Sequence, residues 1–251
     1  MGKQQKLIYL IKYFGLAVLV IAVWEYASLK GFIPPYSLPA PHKIVQTFVL
    51  TLRDGTLPEY IWVSIVRVFT GFVLAGLAAV VLSVLISLSK NFEIVTSLIL
   101  QVLKPIPPIA WIPIAILWLG IGEPSKVFII FIGAFFPILI NTVSGIKQID
   151  TRYVEVSRVF EIPHAKLIKN VVIPGALPQI MTGLRIGLGN AWICVVAAEM
   201  IAATTGIGYM LMDGRQLAQP DKVILAMLLV GIIGKLMDDI LGKIGNKVLY
   251  W

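Results

Sequence analysis

Six apolar runs, each close to or above twenty residues, fill most of this 251-residue chain and limit its fold more than any other feature. They are Leu7–Leu29, Ile61–Leu88, Ile94–Leu119, Val127–Ile146, Leu177–Ala203 and Val223–Ile244. About 20 mainly apolar residues carry a helix across hydrocarbon. Proline and glycine inside such runs do not exclude a span, because neighbouring helices satisfy freed backbone groups. The chain is 58% hydrophobic and only 14% charged, too little polar matter to cover a soluble domain of this size. The pattern predicts an all-α membrane protein of six transmembrane helices, with short connections that make residues 1–251 one domain. The first run exceeds the roughly 7–15 residues of a signal-peptide core and reads as a retained span.

The net charge of +8 sits beside the apolar runs, which suits anchoring at a membrane surface rather than binding of nucleic acid. With the N-terminus inside, Lys3, Lys6, Lys12, Lys90, Lys147, Arg152, Arg158, Lys166, Lys169, Lys243 and Lys247 are cytoplasmic. Lys30, Lys43, Arg53, Lys126, Arg215 and Lys222 then lie outside, a bias that predicts two cytoplasmic termini. The single cysteine, Cys194, and two distant histidines, His42 and His164, offer neither an intrachain disulfide nor a metal-ligand cluster.

Three segments depart from plain spans. After Pro41, the apolar stripe Ile44, Val45, Phe48, Val49 and Leu52 predicts a short helix lying along the interface. The third run carries Pro105, Pro107, Pro108 and Pro113 around Trp111. It reads either as a static kink or as a broken helix beside a path. The fifth run contains Arg185, Asn190 and Glu199. Ionisable groups in a span face the bundle interior or water. Arg185 and Glu199 are about 21 Å apart along a helix and need separate partners. Trp111, Asn190, Glu199 and Arg185 are therefore the candidates for a translocation path. Gly183–Gly187 and the alanines from Ala197 to Ala203 suit close helix packing and are expected to pair two copies of the chain.

Between the fourth and fifth runs, residues 148–174 form the one long charged stretch. Tyr153, Val154, Val159, Phe160, Leu167 and Ile168 recur at three- and four-residue spacing, which predicts two short amphipathic helices parted at Ile162-Pro163. Such a hairpin either lies on headgroups or docks a soluble partner. No phosphate-binding loop is present: Gly231-Ile232-Ile233-Gly234-Lys235-Leu236 lacks both the first glycine and the Ser/Thr after the lysine. No GxSxG or HExxH occurs, and the chain reads as a non-enzyme. A transporter of this composition is passive, is ion-coupled on its own, or takes energy from another subunit.

Glu155-Val156-Ser157-Arg158-Val159-Phe160-Glu161, nine residues, then Val171-Val172-Ile173-Pro174 resembles the EAA loop of ABC importer permeases. Glu155 and Pro174 fit that pattern, Val156 and Ser157 replace its alanines, and Glu161 stands at its glycine. Leu38-Pro39-Ala40-Pro41, the proline-rich run from Lys104 to Pro113, Thr182–Gly187 and Val195–Met200 resemble the nitrate/sulfonate/taurine/bicarbonate subgroup. The resemblance covers nearly the whole chain. It implies a type I importer permease fold, a second permease copy, two ATPase subunits that bind ATP and Mg, and an extracytoplasmic substrate-binding protein. It also implies that a coupling helix in the 148–174 loop meets the ATPase through Tyr153, Glu155, Ser157, Arg158, Val159, Phe160, Glu161 and His164.

Overall fold

The computed structural model describes the backbone of residues 3–249, and the side chains from residue 15 onward except those at 17, 88, 151, 154, 158, 164 and 165. Every regular element among the described residues is helical. The chain runs α1 (Lys3–Leu29), α2 (Pro41–Arg53), α3 (Thr56–Leu88) and α4 (Lys90–Leu103). A 3-10 turn (Pro108–Trp111), α5 (Ile112–Leu119), α6 (Glu123–Lys147), α7 (Thr151–Val159) and α8 (His164–Leu167) follow. A π-helical turn (Ile168–Val172), α9 (Ile173–Ala202), α10 (Ile207–Gln216) and α11 (Pro220–Val248) complete it.

Local chemistry sets the boundaries. Pro41 opens α2, where its missing N–H is not needed. Gly55, at φ 80, turns the chain into α3, and Asp54 accepts hydrogen bonds from the Thr56 amide and hydroxyl. Ser89 caps α4 by accepting from the Phe92 amide. The expected interfacial helix is α2. Ile44, Thr47 and Thr51 face the protein and Thr47 bonds Asp221 of α11, while Val45, Phe48, Val49 and Leu52 remain exposed. Glu25 holds α1 to α2 by accepting from the His42 amide and lying 2.6 Å from its Nδ1.

α6 is the centre of the bundle, packed between α3 and α9. Ile130, Ala134, Ile138 and Leu139 on α6 are closed off by Val68, Ala75 and Ala79 of α3 and by Ala191 and Val195 of α9. Helix backbones approach closely at small residues. A methyl group on Gly183 or Gly187 would meet Ile138, and one on Gly71 would meet Ile130. The Gly183–Gly187 pair therefore packs on α6 of the same chain. This corrects the expectation that it joins two copies, because a groove already filled by Ile138 cannot receive a second helix. The outer faces of α1, α3 and α4 display Leu, Val, Ile and Phe side chains, as a lipid-facing surface requires.

The six predicted spans have counterparts with shifted edges. Thr56–Ser87, Glu123–Lys147 and Ile168–Ala202 are long and apolar enough to cross a membrane outright. The third run is not one rod: α4 and the 108–119 segment meet at 90°, because Pro105, Pro107 and Pro108 cannot donate the amides a continuous helix uses. The fifth span starts earlier than Leu177. Pro174 lies in the first turn of α9, where proline is tolerated, and the π turn joins it to α8 without a break. The sixth, α11, interrupts its apolar run with Lys235, Asp238 and Asp239. α10 is an added short helix where the sequence suggests only the turn Gly206-Ile207-Gly208.

Candidate functional site

Two clusters of charged side chains on the described spans are anchored on α9. The first closes one end of the bundle. Glu199 is 1% exposed and Arg67 of α3 is 4% exposed, although both carry charge. The Glu199 carboxylate accepts from Arg67 at 2.8 Å, from the Ser64 hydroxyl at 2.8 and 2.9 Å, and from the Gly208 amide at 2.9 Å. Arg67 also forks onto Glu123 at 2.6 and 2.7 Å and donates to the Thr205 carbonyl at 2.7 Å. Lys126 closes the set on Glu123 at 2.8 Å. A buried ion pair is tolerable only when its remaining lone pairs and protons are bonded in this way. Four segments are tied by one set of bonds: α3, α6, α9 and the turn into α10.

Glycine makes that turn possible. Gly206 adopts φ 115, and a methyl group there would meet the Glu199 carboxylate. A methyl group on Gly208 would meet the Val196 carbonyl and the Glu199 Cβ. The backbone thus comes close enough for its amides to serve as ligands, with Gly208 donating to Glu199 and Ile207 to the Ser64 hydroxyl at 3.0 Å.

The second cluster lies fourteen residues earlier on α9. Arg185 forks onto Asp238 of α11, with Nε–H and an Nη–H donating at 3.0 and 2.7 Å. Both residues are 49% exposed. One turn away, Lys235 donates to both oxygens of Asp239 at 2.7 and 2.8 Å. Thr182, Ile186, Gly189 and Ile193 share the exposed face of α9 with Arg185.

The four path candidates separate in this geometry. Arg185 sits on the exposed face of α9, and the half-buried Asn190 follows the exposed Gly189. Glu199 sits within the packed interior with its oxygens engaged, so in this structure it is not a surface contact. Trp111 packs on Ile112, Ala115, Ile129, Cys194 and Ala198, beside the Glu199 turn, and its buried indole N–H has no hydrogen-bond partner. Arg185 and Glu199 do have separate partners. The sequence alone names neither Arg67 and Ser64 as partners of Glu199 nor Asp238 as the partner of Arg185. For Asp238 the signal was present: Lys235, Asp238 and Asp239 interrupt an apolar run at three- and four-residue spacing.

The 148–174 stretch forms two helices as its periodicity predicts, and α7 stands largely exposed. Phe160 is 73% and Val159 79% exposed, with Tyr153 and Val156 beside them. Glu155 and Glu161 are exposed too, whereas Ser157 is buried and donates to the Tyr153 carbonyl at 2.6 Å. The side chains of Arg158 and His164 lie outside the described residues. Glu161 has φ 50, the left-handed region. The Ile162 amide reaches back to the Ser157 carbonyl at 2.9 Å, and Pro163 follows. This is a Schellman helix end, whose left-handed position favours glycine. Glu161 stands where the EAA pattern has its glycine and takes the conformation a glycine would take. Beyond it, a cleft of about 370 Å³ opens between Phe160, Pro163, Lys166, Asn170 and Val171.

Residues 71–244 match the family model described as binding-protein-dependent transport system inner membrane component. The chain is 38% identical over 245 residues to the nitrate import permease protein NrtB of Synechocystis sp., covering 94% of this chain and 87% of that one. It is 31% identical over 242 residues to the taurine transport system permease protein TauC of Escherichia coli, covering 94% and 87%. Among solved structures, a chain of the MetNI methionine ABC transporter in an inward-facing conformation superposes with a TM-score of 0.65 at 20% identity, covering 81% of this chain and 98% of that one. That likeness is one of fold.

Proposed function

The chain belongs to the family of binding-protein-dependent transport system inner membrane components, and from that premise we propose that it imports a small oxyanion-type solute. The solutes in view are nitrate, taurine or another aliphatic sulfonate, and bicarbonate. Two copies form the path, and two ATPase subunits bind and hydrolyse ATP on the cytoplasmic side. A soluble binding protein delivers the solute outside, and both termini are cytoplasmic. One observation carries the reading: the exposed α7, with Val159 at its end and Phe160 just beyond, is joined by the short turn at Glu161–Pro163 to α8, which runs through the π turn into α9 without a break. A soluble subunit can push only on what protrudes, and here the protrusion is one turn away from the base of the helix that bears both charged clusters. Tyr153, Val159 and Phe160 fill the partner's groove, with Glu155, Ser157, Arg158, Glu161 and His164 around them. Arg185 and Asn190 face the path from α9, while Glu199 and Trp111 hold its wall from behind.

The test is uptake into proteoliposomes. The chain reconstituted with its ATPase and binding protein should accumulate labelled nitrate, taurine or bicarbonate only with ATP. Phe160→Ala should weaken ATPase association by about 2 kcal/mol, as truncation of a buried aromatic anchor does. That is roughly a thirtyfold loss at 1.4 kcal/mol per decade. Uptake by the chain alone, driven by an ion gradient, would instead identify a self-contained secondary transporter.

A further inference from the structure

α1 meets the rest of the protein over a short stretch. The side chains at positions 18–23 are all exposed, and six consecutive residues cover every side of a helix. Contact begins at Trp24, Glu25, Ala27 and Ser28. A helix that leaves its bundle in this way opens a wedge, here between α1, the 30–40 loop and the start of α2. The wedge holds a cavity of about 260 Å³ whose lining includes Ser28, Ile33, Leu38, His42 and Lys43. That is several times the roughly 30 Å³ that one water molecule takes up. Two of the lining groups are unpaired. Thr47, Thr51, Ser83 and Thr142 each donate to the carbonyl four residues earlier in their helices. The buried Ser28 hydroxyl has no hydrogen-bond partner, and a buried hydroxyl in that condition is costly. Lys43 is exposed, and no carboxylate pairs with it among the described residues. Glu25, the acid at this joint, is engaged by the His42 amide and ring.

The surroundings set the depth of this cavity in the membrane. Tyr26 on α1 and Phe32 and Tyr36 in the loop are exposed, and aromatic side chains gather at the headgroup level. Along α2, a second and apolar cavity of about 390 Å³ is lined by Val45, Gln46, Val49 and Leu50. His42, Val45 and Val49 stand three and four residues apart, so the two cavities share one side of α2. A polar hollow that offers an ammonium and a hydroxyl, continued along the same helix by an apolar groove, matches an amphiphile with an anionic head and a hydrocarbon tail. Phosphate oxygens accept well from an ammonium and a hydroxyl together. We propose that the joint between α1 and α2 is a phospholipid site. The headgroup phosphate takes Lys43 and the Ser28 hydroxyl, and an acyl chain lies along Val45 and Val49. The lipid thereby fastens α1, whose described contacts with the bundle lie at its end. This site does not depend on which solute is imported.

The purified full-length chain, stripped of lipid in a mild detergent, is titrated with phosphatidylglycerol, and bound lipid is counted by native mass spectrometry. A first phosphatidylglycerol should bind more tightly than those that follow, and more tightly than a diacylglycerol with the same chains. Lys43→Gln should weaken that first binding about tenfold, as loss of a charge-assisted bond does. Ser28→Ala should weaken it about fivefold, as loss of a neutral bond does. Both variants should keep the helical signal of the parent, since Lys43 is exposed and the Ser28 hydroxyl holds nothing in the fold. Lys30→Gln changes a neighbouring cation that lies over the Tyr26 ring, and it should leave the first binding as it was. Equal weakening by Lys30→Gln and Lys43→Gln overturns the site in favour of general surface charge. A first lipid no tighter than the rest, or one that survives both Lys43→Gln and Ser28→Ala undiminished, overturns it outright. Diacylglycerol binding as tightly as phosphatidylglycerol overturns the role of the phosphate. Displacement of the lipid by millimolar inorganic phosphate overturns the lipid assignment and leaves a site for free phosphate.

Discussion

The two charged clusters on α9 use the same pairing, arginine with carboxylate, in opposite surroundings. At Glu199 the pair is sealed: three donors, from Arg67, Ser64 and Gly208, meet one carboxylate, and Arg67 is shared among Glu199, Glu123 and Thr205. At Arg185 the pair is open, with two bonds between two half-exposed side chains. The difference teaches that intramembrane charge is not by itself a sign of solute contact. A sealed pair has no free valence and its removal strands a partner, so it serves the architecture. An open pair can exchange its partner at little cost to the fold.

The largest effect should appear when the sealed cluster is broken. Arg67→Ala leaves Glu199 buried without its cation and should destabilise the bundle by about 3–5 kcal/mol, the range for removing one partner of a buried pair. Arg185→Ala should cost no more than about 1 kcal/mol, as for exposed pairs. Denaturant titration of the purified chain, followed by helical signal, measures both. Equal losses would erase the distinction between the clusters. The double change Arg67→Met with Glu199→Leu sharpens it, because removing both charges avoids stranding one. The double variant should be more stable than Arg67→Ala.

A second comparison isolates the backbone on which the sealed cluster depends. Gly208→Ala drives a methyl group against the Val196 carbonyl and Glu199. It should cost about 1–3 kcal/mol, the range for overpacking. Gly189→Ala on the exposed face of α9 meets nothing within 4 Å. It should raise stability, by up to about 1 kcal/mol, because alanine is the better helix former. A loss at Gly189 would mean that this face of α9 is closed by another surface.

Much of this was legible in the sequence, and the omissions have physical causes. Apolar run length gave the spans, and three- and four-residue spacing gave the α7–α8 pair with its break at Ile162-Pro163. The proline cluster gave the interruption before Trp111, but a run of prolines does not by itself fix an angle, which is 90° between α4 and the 108–119 segment. Charge pairing was hidden because Arg67, Glu123 and Glu199 are far apart in the chain and meet only after α3, α6 and α9 assemble. Gly183–Gly187 marks a close helix contact in any sequence, but the sequence does not say which helix, and Ile138 of α6 is the answer. Gly206 and Gly208 read as a turn because nothing local shows that the Gly208 amide reaches a carboxylate nine residues upstream.

The smallest predicted effect separates backbone from charge at the turn that ends α7. Glu161 holds a left-handed conformation that costs an L residue roughly 1–2 kcal/mol and glycine almost nothing. Glycine also loosens the unfolded chain, which offsets roughly 0.4–1 kcal/mol of that gain. Glu161→Gly should therefore stabilise the helix end by about 0.5–1 kcal/mol. The Ile162 amide reports it, because its bond to the Ser157 carbonyl exists only while Glu161 is left-handed. Local opening governs exchange at such a site, so the Ile162 amide should exchange about two- to fivefold more slowly in Glu161→Gly. Glu161→Ala removes the carboxylate but keeps the strain, and should leave the rate near that of the parent chain. If the two substitutions slowed exchange equally, the carboxylate and not the backbone would be what disfavours this turn. Glu161 would then resemble the charges of the sealed cluster, where surroundings set the cost of a side chain, rather than a glycine position occupied by the wrong residue.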